Sequence, residues 1–178
     1  MIQAILIEEG KIMKKFTQSL LLASLLSVGA SAAEVGFYAG GGIALEMVPK
    51  DIDMGAALVL RGGMTLDSVF ENFAVEAELS KSIVDPKFDY GFGTIKQKVT
   101  TFATYAVYRI DINEKIYVKP RFGLALPNIG DDTNSRNIAF SAGVGGAYTV
   151  MDHMDVYVDY TIVSEGISNF GGGVEWHF

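Results

Sequence analysis

Very few residues of this chain could carry out catalytic chemistry. The 178 residues contain two histidines, His153 and His177, and no cysteine. A histidine that acts as general base in acyl transfer needs a serine nucleophile and an orienting acid within hydrogen-bond reach. Neither histidine of this chain stands in a His-x-Ser motif. No phosphate loop, zinc-ligand spacing or serine nucleophile elbow occurs in the sequence. The sequence therefore predicts no catalytic, cofactor-binding or metal-ligating residues, no cofactor and no enzymatic activity.

A second chemical feature is a set of charged residues that interrupt otherwise apolar or small-residue runs. Opposite charges that are buried together offset part of their desolvation cost, so these residues could form a packed salt-bridge core or a relay for protons or ions. The set comprises Arg61, Glu76, Glu78, Lys119, Arg121 and Asp159, together with Glu175. The choice between the two interpretations depends on the elements that carry the charges.

From Val35 onward, apolar residues alternate with small or polar ones, which is the period of β-strands. Eight such runs of about ten to fourteen residues follow one another, and none has the pattern of a long amphipathic helix. In the third run Val75 and Leu79 share the apolar face, while Glu76 and Glu78 lie opposite. The fourth run, 98–109, is ambiguous. Its apolar face is assigned to Phe102, Ala106 and Tyr108.

The less apolar face of the runs decides the class of protein. In a soluble barrel or sandwich this face would be richly charged, whereas here it consists mostly of Gly, Ala, Ser, Thr and Tyr. Small residues fit the inside of a narrow barrel, and the continuous apolar face then meets lipid. We therefore predict an all-β fold: an eight-stranded antiparallel up-and-down transmembrane β-barrel preceded by a signal peptide. A soluble lipocalin-like barrel is the alternative.

An eight-stranded barrel has room inside only for side chains, which favours a salt-bridge plug over a relay. A hairpin turn centred near position 69–70 sets Arg61 directly opposite Glu78. Aromatic residues cluster at the barrel end where the chain starts and finishes, as in an interfacial belt. The predicted interfacial aromatics are Phe37, Phe73, Tyr108 and Tyr148.

The amino-terminal residues have the pattern of a targeting segment. Lys14 and Lys15 precede an apolar stretch that ends at Ala30-Ser31-Ala32, as in a secretory signal peptide. The stretch is roughly half of the ~20 residues that a membrane anchor needs. We therefore assign 13–32 to a signal peptide, cleaved before Ala33, and 33–178 to the barrel. Residues 1–12 are interpreted as a mis-assigned leader, because Glu8-Glu9-Gly10-Lys11 back-translates to a purine-rich ribosome-binding sequence upstream of the Met13 codon.

The ending Gly172-Gly173-Val174-Glu175-Trp176-His177-Phe178 resembles the closing strand of outer-membrane barrels. Tracts 73–79 and 142–148 resemble strands of the outer membrane protein beta-barrel domain family, the small-barrel group that includes OmpX and the membrane half of OmpA. The resemblance covers 33–178 and implies the outer membrane of a Gram-negative bacterium, with periplasmic termini. It also implies an assembly signal, read by the barrel-assembly machinery, at Val174, Trp176 and Phe178. The implied outer connections are Val48–Asp53, Asp85–Ile95, Pro127–Asn137 and Ser164–Gly166.

The functional hypothesis is a non-enzymatic barrel of the cell envelope with a structural or surface-interaction role and a plugged lumen. A small barrel that modifies lipid A or phospholipid is the alternative, and a narrow porin-like pore is a further one. Barrel deacylases carry their histidine on the lipid-facing side, whereas His153 falls in a periplasmic turn and His177 at the periplasmic rim. The expected partners are outer-membrane lipid and lipopolysaccharide, besides the assembly machinery. A net charge of −7 argues against nucleic acid, and the sequence does not specify a surface ligand.

Overall fold

The computed structural model describes residues 35–47, 54–67, 70–89, 93–130 and 138–178. The predicted leader, 1–12, and the predicted signal peptide, 13–32, lie outside the described residues. Among the described residues, no helix is long and apolar enough to cross a membrane.

Eight long strands form one closed antiparallel sheet, which confirms the predicted up-and-down barrel. Each strand pairs with its neighbours in the sequence, β8 also pairs with β1, and the β4–β5 pairing completes the circle. The strands are β1 (Phe37–Met47), β2 (Gly55–Thr65), β3 (Phe73–Val84), β4 (Val99–Tyr108), β5 (Ile116–Ile129), β6 (Ala139–Met151), β7 (Met154–Ser164) and β8 (Ile167–His177). Closure leaves no long sheet edge without hydrogen-bond partners, as a lipid environment requires.

The barrel has two distinct ends. β1 begins and β8 finishes at one of them, which we call the terminal end, and we call the opposite one the loop end. Turns at the terminal end are compact: Asn72 adopts a left-handed φ of 62°, and its backbone N–H donates to Asp67 Oδ1 at 2.9 Å. At the loop end β7 and β8 are joined through Glu165 and Gly166, where Gly166 has a φ of 90°.

Two connections at the loop end differ from the sequence prediction. β5 continues to Ile129, although a loop was expected from Pro127 onward. Pro127 lies opposite Thr101 of β4, so the apolar alternation of β5 extends past the proline. The connection between β3 and β4 contains a short two-stranded ribbon, Lys87–Asp89 with Thr94–Lys96, where an irregular loop was expected. A further short strand, Ile110–Asp111, pairs with β5 near the terminal end.

The apolar face of the sheet points outward. Leu58, Phe122 and Val158 are exposed by 47%, 68% and 57%, so they do not converge on an interior. In β4 the buried positions begin at Val99 and alternate through Val107, which places Phe102 and Ala106 on the outer face as expected. The outward set of large apolar side chains covers all eight strands. This arrangement is that of a lipid-facing barrel rather than of a soluble one.

Glycine on the inner face makes room for tyrosine. Gly63 lies opposite Tyr38 across β1 and β2, and a Cβ at position 63 would come within 2.3 Å of the Tyr38 ring. A Cβ at Gly42 or Gly173 would lie 2.7 Å from the Tyr157 hydroxyl. The small residues that mark the inner face in the sequence are therefore matched to large tyrosines on neighbouring strands.

Candidate functional site

Seven charged side chains from five strands meet inside the barrel, and we call them the lumen charge cluster. Each is exposed by 8% or less. Alternation along the strands points all of them inward, because each sits at a position whose neighbours face outward. The cluster consists of Arg61 from β2, Glu76 and Glu78 from β3, Lys119 and Arg121 from β5, Asp159 from β7 and Glu175 from β8.

Arg61 connects its own strand, β2, with three other strands. It lies opposite Glu78 in the β2–β3 register, as the predicted hairpin requires. Its Nη2 is 3.0 Å from Glu78 Oε2 and 2.7 Å from Asp159 Oδ2, and its Nη1 is 3.4 Å from Glu175 Oε1. One guanidinium therefore joins β2 to β3, β7 and β8.

Arg121 and Lys119 make the complementary connections from β5. Arg121 Nη1 donates to Glu76 Oε1 at 2.9 Å and to Glu78 Oε2 at 2.7 Å, while its Nη2 donates to the Thr161 hydroxyl. Lys119 Nζ donates to both carboxylate oxygens of Glu175, at 2.6 and 2.7 Å. Lys119 on β5 and Glu175 on β8 lie three strands apart in the closed barrel, so this contact crosses the lumen, while Arg121 reaches β3 past the intervening β4.

Tyrosines surround the lumen charge cluster, and sequence reasoning did not single them out. The Tyr38 hydroxyl donates to Glu76 Oε2 at 2.9 Å. Arg61 stacks 4.1 Å from the Tyr157 ring centroid, and Arg121 stacks 4.6 Å from that of Tyr105. These tyrosines occupy inward positions in the alternation of their strands, and that position could have identified them. The charged groups are thus held by hydrogen bonds and cation–π contacts as well as by ion pairs.

The chemical consequence of this arrangement is that the charges inside the barrel are largely balanced. Three cations and four carboxylates neutralise most of one another's charge. Each guanidinium binds carboxylates from more than one strand, since Arg121 Nη2 also lies 3.5 Å from Asp159 Oδ2 on β7. Buried ions are tolerated only when they are paired and hydrogen-bonded in this way. The ion pairs of the cluster link strands up to three places apart around the barrel.

Glu46 is a buried carboxylate of a different kind, which sequence reasoning also missed. It is 1% exposed, and its Oε2 accepts a hydrogen bond of 2.5 Å from the Ser82 hydroxyl. Within the described residues, no Lys or Arg lies within ion-pair distance of it, and its Oε1 has no hydrogen-bond partner. Asn169, its direct cross-strand neighbour on β8, has an unpartnered Oδ1. This part of the lumen therefore lacks a donor.

We expect Glu46→Gln to raise the free energy of unfolding by about 1 kcal/mol. The substitution removes an uncompensated buried carboxylate and supplies an amide N–H that can reach Asn169 Oδ1. The measurement is urea-induced unfolding of the refolded barrel in detergent or lipid. Glu78→Gln is the matched control, because the same substitution there removes ion pairs to two arginines and should destabilise. Equal destabilisation by the two substitutions would contradict the prediction.

His177, at the mouth of the terminal end, contacts a buried acid. Its Nε2 lies 2.9 Å from Asp155 Oδ2, and the Tyr117 hydroxyl donates to the same oxygen. Among the described residues no serine or threonine hydroxyl contacts the His177 ring. His153 lies in the β6–β7 turn, with its ring 6.4 Å from that of Trp176. Sequence reasoning placed both histidines at this end but did not foresee the Asp155 contact.

The same mouth contains an open pocket of about 120 Å³. Tyr38, Arg109, Lys119 and Glu175 contribute to its lining, and its size suits a few water molecules rather than a sugar or a lipid. Asp155, Glu175 and His177 offer ligand atoms within 4.8 Å of one another, a spacing open to a metal ion. The Lys119 ammonium already occupies both oxygens of Glu175, so a cation there would have to displace it.

The other residues singled out from the sequence lie at the terminal end, on the outer face. Phe73 and Tyr108 are direct cross-strand partners, and Tyr148 lies opposite Ile116. Phe37 begins β1, and its carbonyl accepts the backbone N–H of Phe178 at 2.9 Å. The exposed side chains at the end of the chain are Val174 at 49%, Trp176 at 48% and Phe178 at 77%. These residues come from β1, β3, β4, β6 and β8 and the end of the chain.

Comparison with known proteins agrees with this geometry. Residues 19–178 match the sequence profile of a family described as "Outer membrane protein beta-barrel domain". No curated protein matches the chain by sequence.

Solved structures of small membrane barrels resemble the fold. Neisserial surface protein A has a TM-score of 0.54 and 14% identity, with 82% of this chain and 98% of that one covered. Ail, the attachment invasion locus protein of Yersinia pestis, in complex with the heparin analogue sucrose octasulfate, has a TM-score of 0.51 and 13% identity, with coverage of 82% and 100%. A de novo designed transmembrane β-barrel reaches 0.52 at 8% identity, with coverage of 80% and 95%. At such identities the likeness concerns the fold alone.

Proposed function

Because the chain belongs to the outer membrane protein beta-barrel domain family, we propose that it is a non-enzymatic outer-membrane barrel with a structural or surface-interaction role. The observation that carries the proposal is the lumen charge cluster, whose ion pairs cross the lumen between strands two and three places apart. A barrel closed in this way cannot pass solutes, so its working surfaces are the lipid-facing wall and the loop end. The names of two structural neighbours, a surface protein and an attachment protein, support a role at the cell surface.

The orientation and export of the chain are part of this proposal. Residues 13–32 act as a cleaved secretory signal, the terminal end faces the periplasm and the loop end faces outward. Val174, Trp176 and Phe178 then present their side chains to the barrel-assembly machinery during insertion. Amino-terminal sequencing of the protein from outer-membrane extracts should give Ala33, within one residue. An intact signal segment on the membrane-inserted protein would refute cleavage.

Gel migration and conductance together test the proposed function. A folded barrel in outer-membrane extracts should migrate differently before and after boiling, because the closed sheet survives detergent until heated. The same heat-modifiable protein should give no steady conductance steps in planar bilayers. Recovery of the protein in the soluble periplasm would refute the proposal. Steady ion-conducting steps from the unmodified protein would show that the lumen is a narrow pore and not plugged.

The contact between His177 and Asp155 is the observation that favours a lipid-modifying enzyme as the second candidate. The geometry is incomplete for that role, because His177 points into the barrel mouth and acyl chains lie along the outer wall. An assay for release of fatty acids from lipid A and phospholipid tests it. No release by the folded protein supports the non-enzymatic role, and release that is lost in His177→Ala would support the enzyme.

A further inference from the structure

Lys81 is the one charged side chain on the outward face of the eight barrel strands. It is exposed on β3, and the flanking outward residues Leu79 and Ile83 are exposed by 45% and 61%. Every other charged residue of these strands faces the lumen or lies at a strand end. An ionised side chain against lipid is costly unless it reaches the headgroup layer and an opposite charge. We therefore expect Lys81 to have an anionic partner outside the barrel.

Two further exposed lysines lie at the loop end, in the segment that leads into β4. Lys81 is paired with Thr100 of β4, and Lys98 lies two residues before Thr100 on the same outward side of the chain. Such diagonal cross-strand neighbours are about 7–8 Å apart, so two flexible ammonium groups can converge on one anion. Lys96 is exposed at the end of the short ribbon. We call Lys81, Lys96 and Lys98 the outer lysine patch.

Nothing in the described part of the chain neutralises the outer lysine patch. Its three lysines form none of the ion pairs found among the described residues. The patch is positively charged, whereas the chain as a whole has a net charge of −7. Concentrated positive charge on an acidic protein is the usual mark of a binding site for anions.

The depth of Lys81 identifies the kind of anion. Lys81 lies three residues from the loop end of β3, roughly 10 Å along the strand, so its ammonium group can reach the headgroup layer while its stem crosses acyl chains. A soluble polyanion could not approach a side chain flanked by Leu79, Ile83 and Phe102. We propose that the outer lysine patch binds the phosphate groups of an outer-leaflet lipid, the lipid A part of lipopolysaccharide. This inference rests on the proposed orientation of the barrel.

Reconstitution with defined lipids tests the proposal. The refolded full-length barrel is placed in phosphatidylcholine nanodiscs that contain bisphosphorylated lipid A, and the lipid retained on the protein is counted by native mass spectrometry. The double variant Lys81→Gln/Lys98→Gln should bind lipid A at least about tenfold more weakly, given the usual contribution of each lysine at an anionic surface. Lys115→Gln, at an exposed terminal-end turn, is the matched control and should bind as the unmodified protein does.

The outcomes separate this inference from the proposed function. Dephosphorylated lipid A should bind the double variant and the unmodified protein equally. Equal retention of bisphosphorylated lipid A by both would overturn the inference, although heat-modifiable migration would leave the barrel assignment intact. Displacement of lipid A by a soluble sulfated sugar at matched charge would also overturn it, because the patch would then serve a soluble polyanion.

Discussion

Arg121→Met should lower the free energy of unfolding by about 3–5 kcal/mol, the range found when one partner of a buried ion pair is removed. Arg121 is 4% exposed and binds Glu76 and Glu78 of β3 from β5, two strands away. Its loss leaves the two carboxylates partly uncompensated and opens space beside Tyr105. The measurement is the urea midpoint and slope for the barrel refolded in lipid.

Two controls distinguish the loss of the ion pairs from a general effect of methionine. Lys115→Met, at an exposed turn position, should change the free energy of unfolding by less than about 0.5 kcal/mol. Combining Arg121→Met with Glu78→Gln should cost less than the two single changes together, with a coupling energy of about 0.5–3 kcal/mol. Additive effects would mean that the cluster does not act as a network.

Phe122→Arg should destabilise the membrane-inserted barrel by about 2–4 kcal/mol, the cost of a basic side chain near the middle of the bilayer. Phe122 lies near the middle of β5 with 68% of its surface exposed. Ile116→Arg is the matched substitution at the terminal end of the same strand, where the cost should fall to about 0–1 kcal/mol. Unfolding is again followed by urea titration in lipid.

This pair of variants separates a lipid-facing wall from a water-facing one. If the outer face met water, replacing an exposed phenylalanine by arginine would leave stability unchanged or improve it, and the two positions would not differ. A depth dependence is therefore the informative result. Equal effects at Phe122 and Ile116 would count against a membrane-spanning sheet.

Much of the barrel could be predicted because the side chains of a narrow transmembrane sheet alternate between lipid and lumen, so residue type alternates along each strand. Leu58, Phe122 and Val158 face outward because the outer face must be apolar, and the same parity places Arg61 and Glu78 inside. Strand number and pairing order follow from eight runs joined by short turns. β4 was ambiguous in the sequence because Thr100 and Thr104 dilute its outer face.

The details of the interior could not be predicted, because they depend on how side chains from distant strands meet. Arg61 and Asp159 are 98 positions apart in the sequence and 2.7 Å apart in the lumen, and strand parity says nothing of which carboxylate a guanidinium will reach. The tyrosine contacts and the isolated Glu46 were missed for the same reason. The loop predicted from Pro127 onward was wrong at its start, because β5 continues through this proline to Ile129.

Spin-label accessibility at Val158 tests the central claim, that the apolar face of the sheet meets acyl chains, most directly. The chain has no cysteine, so Val158→Cys gives one nitroxide on the outer wall, and Asp152→Cys gives a reference at an exposed turn. In lipid vesicles the Val158 label should relax strongly with dissolved oxygen and weakly with a water-soluble nickel complex, with the opposite order at Asp152. Strong relaxation of the Val158 label by nickel would contradict the account, because that wall would then face water.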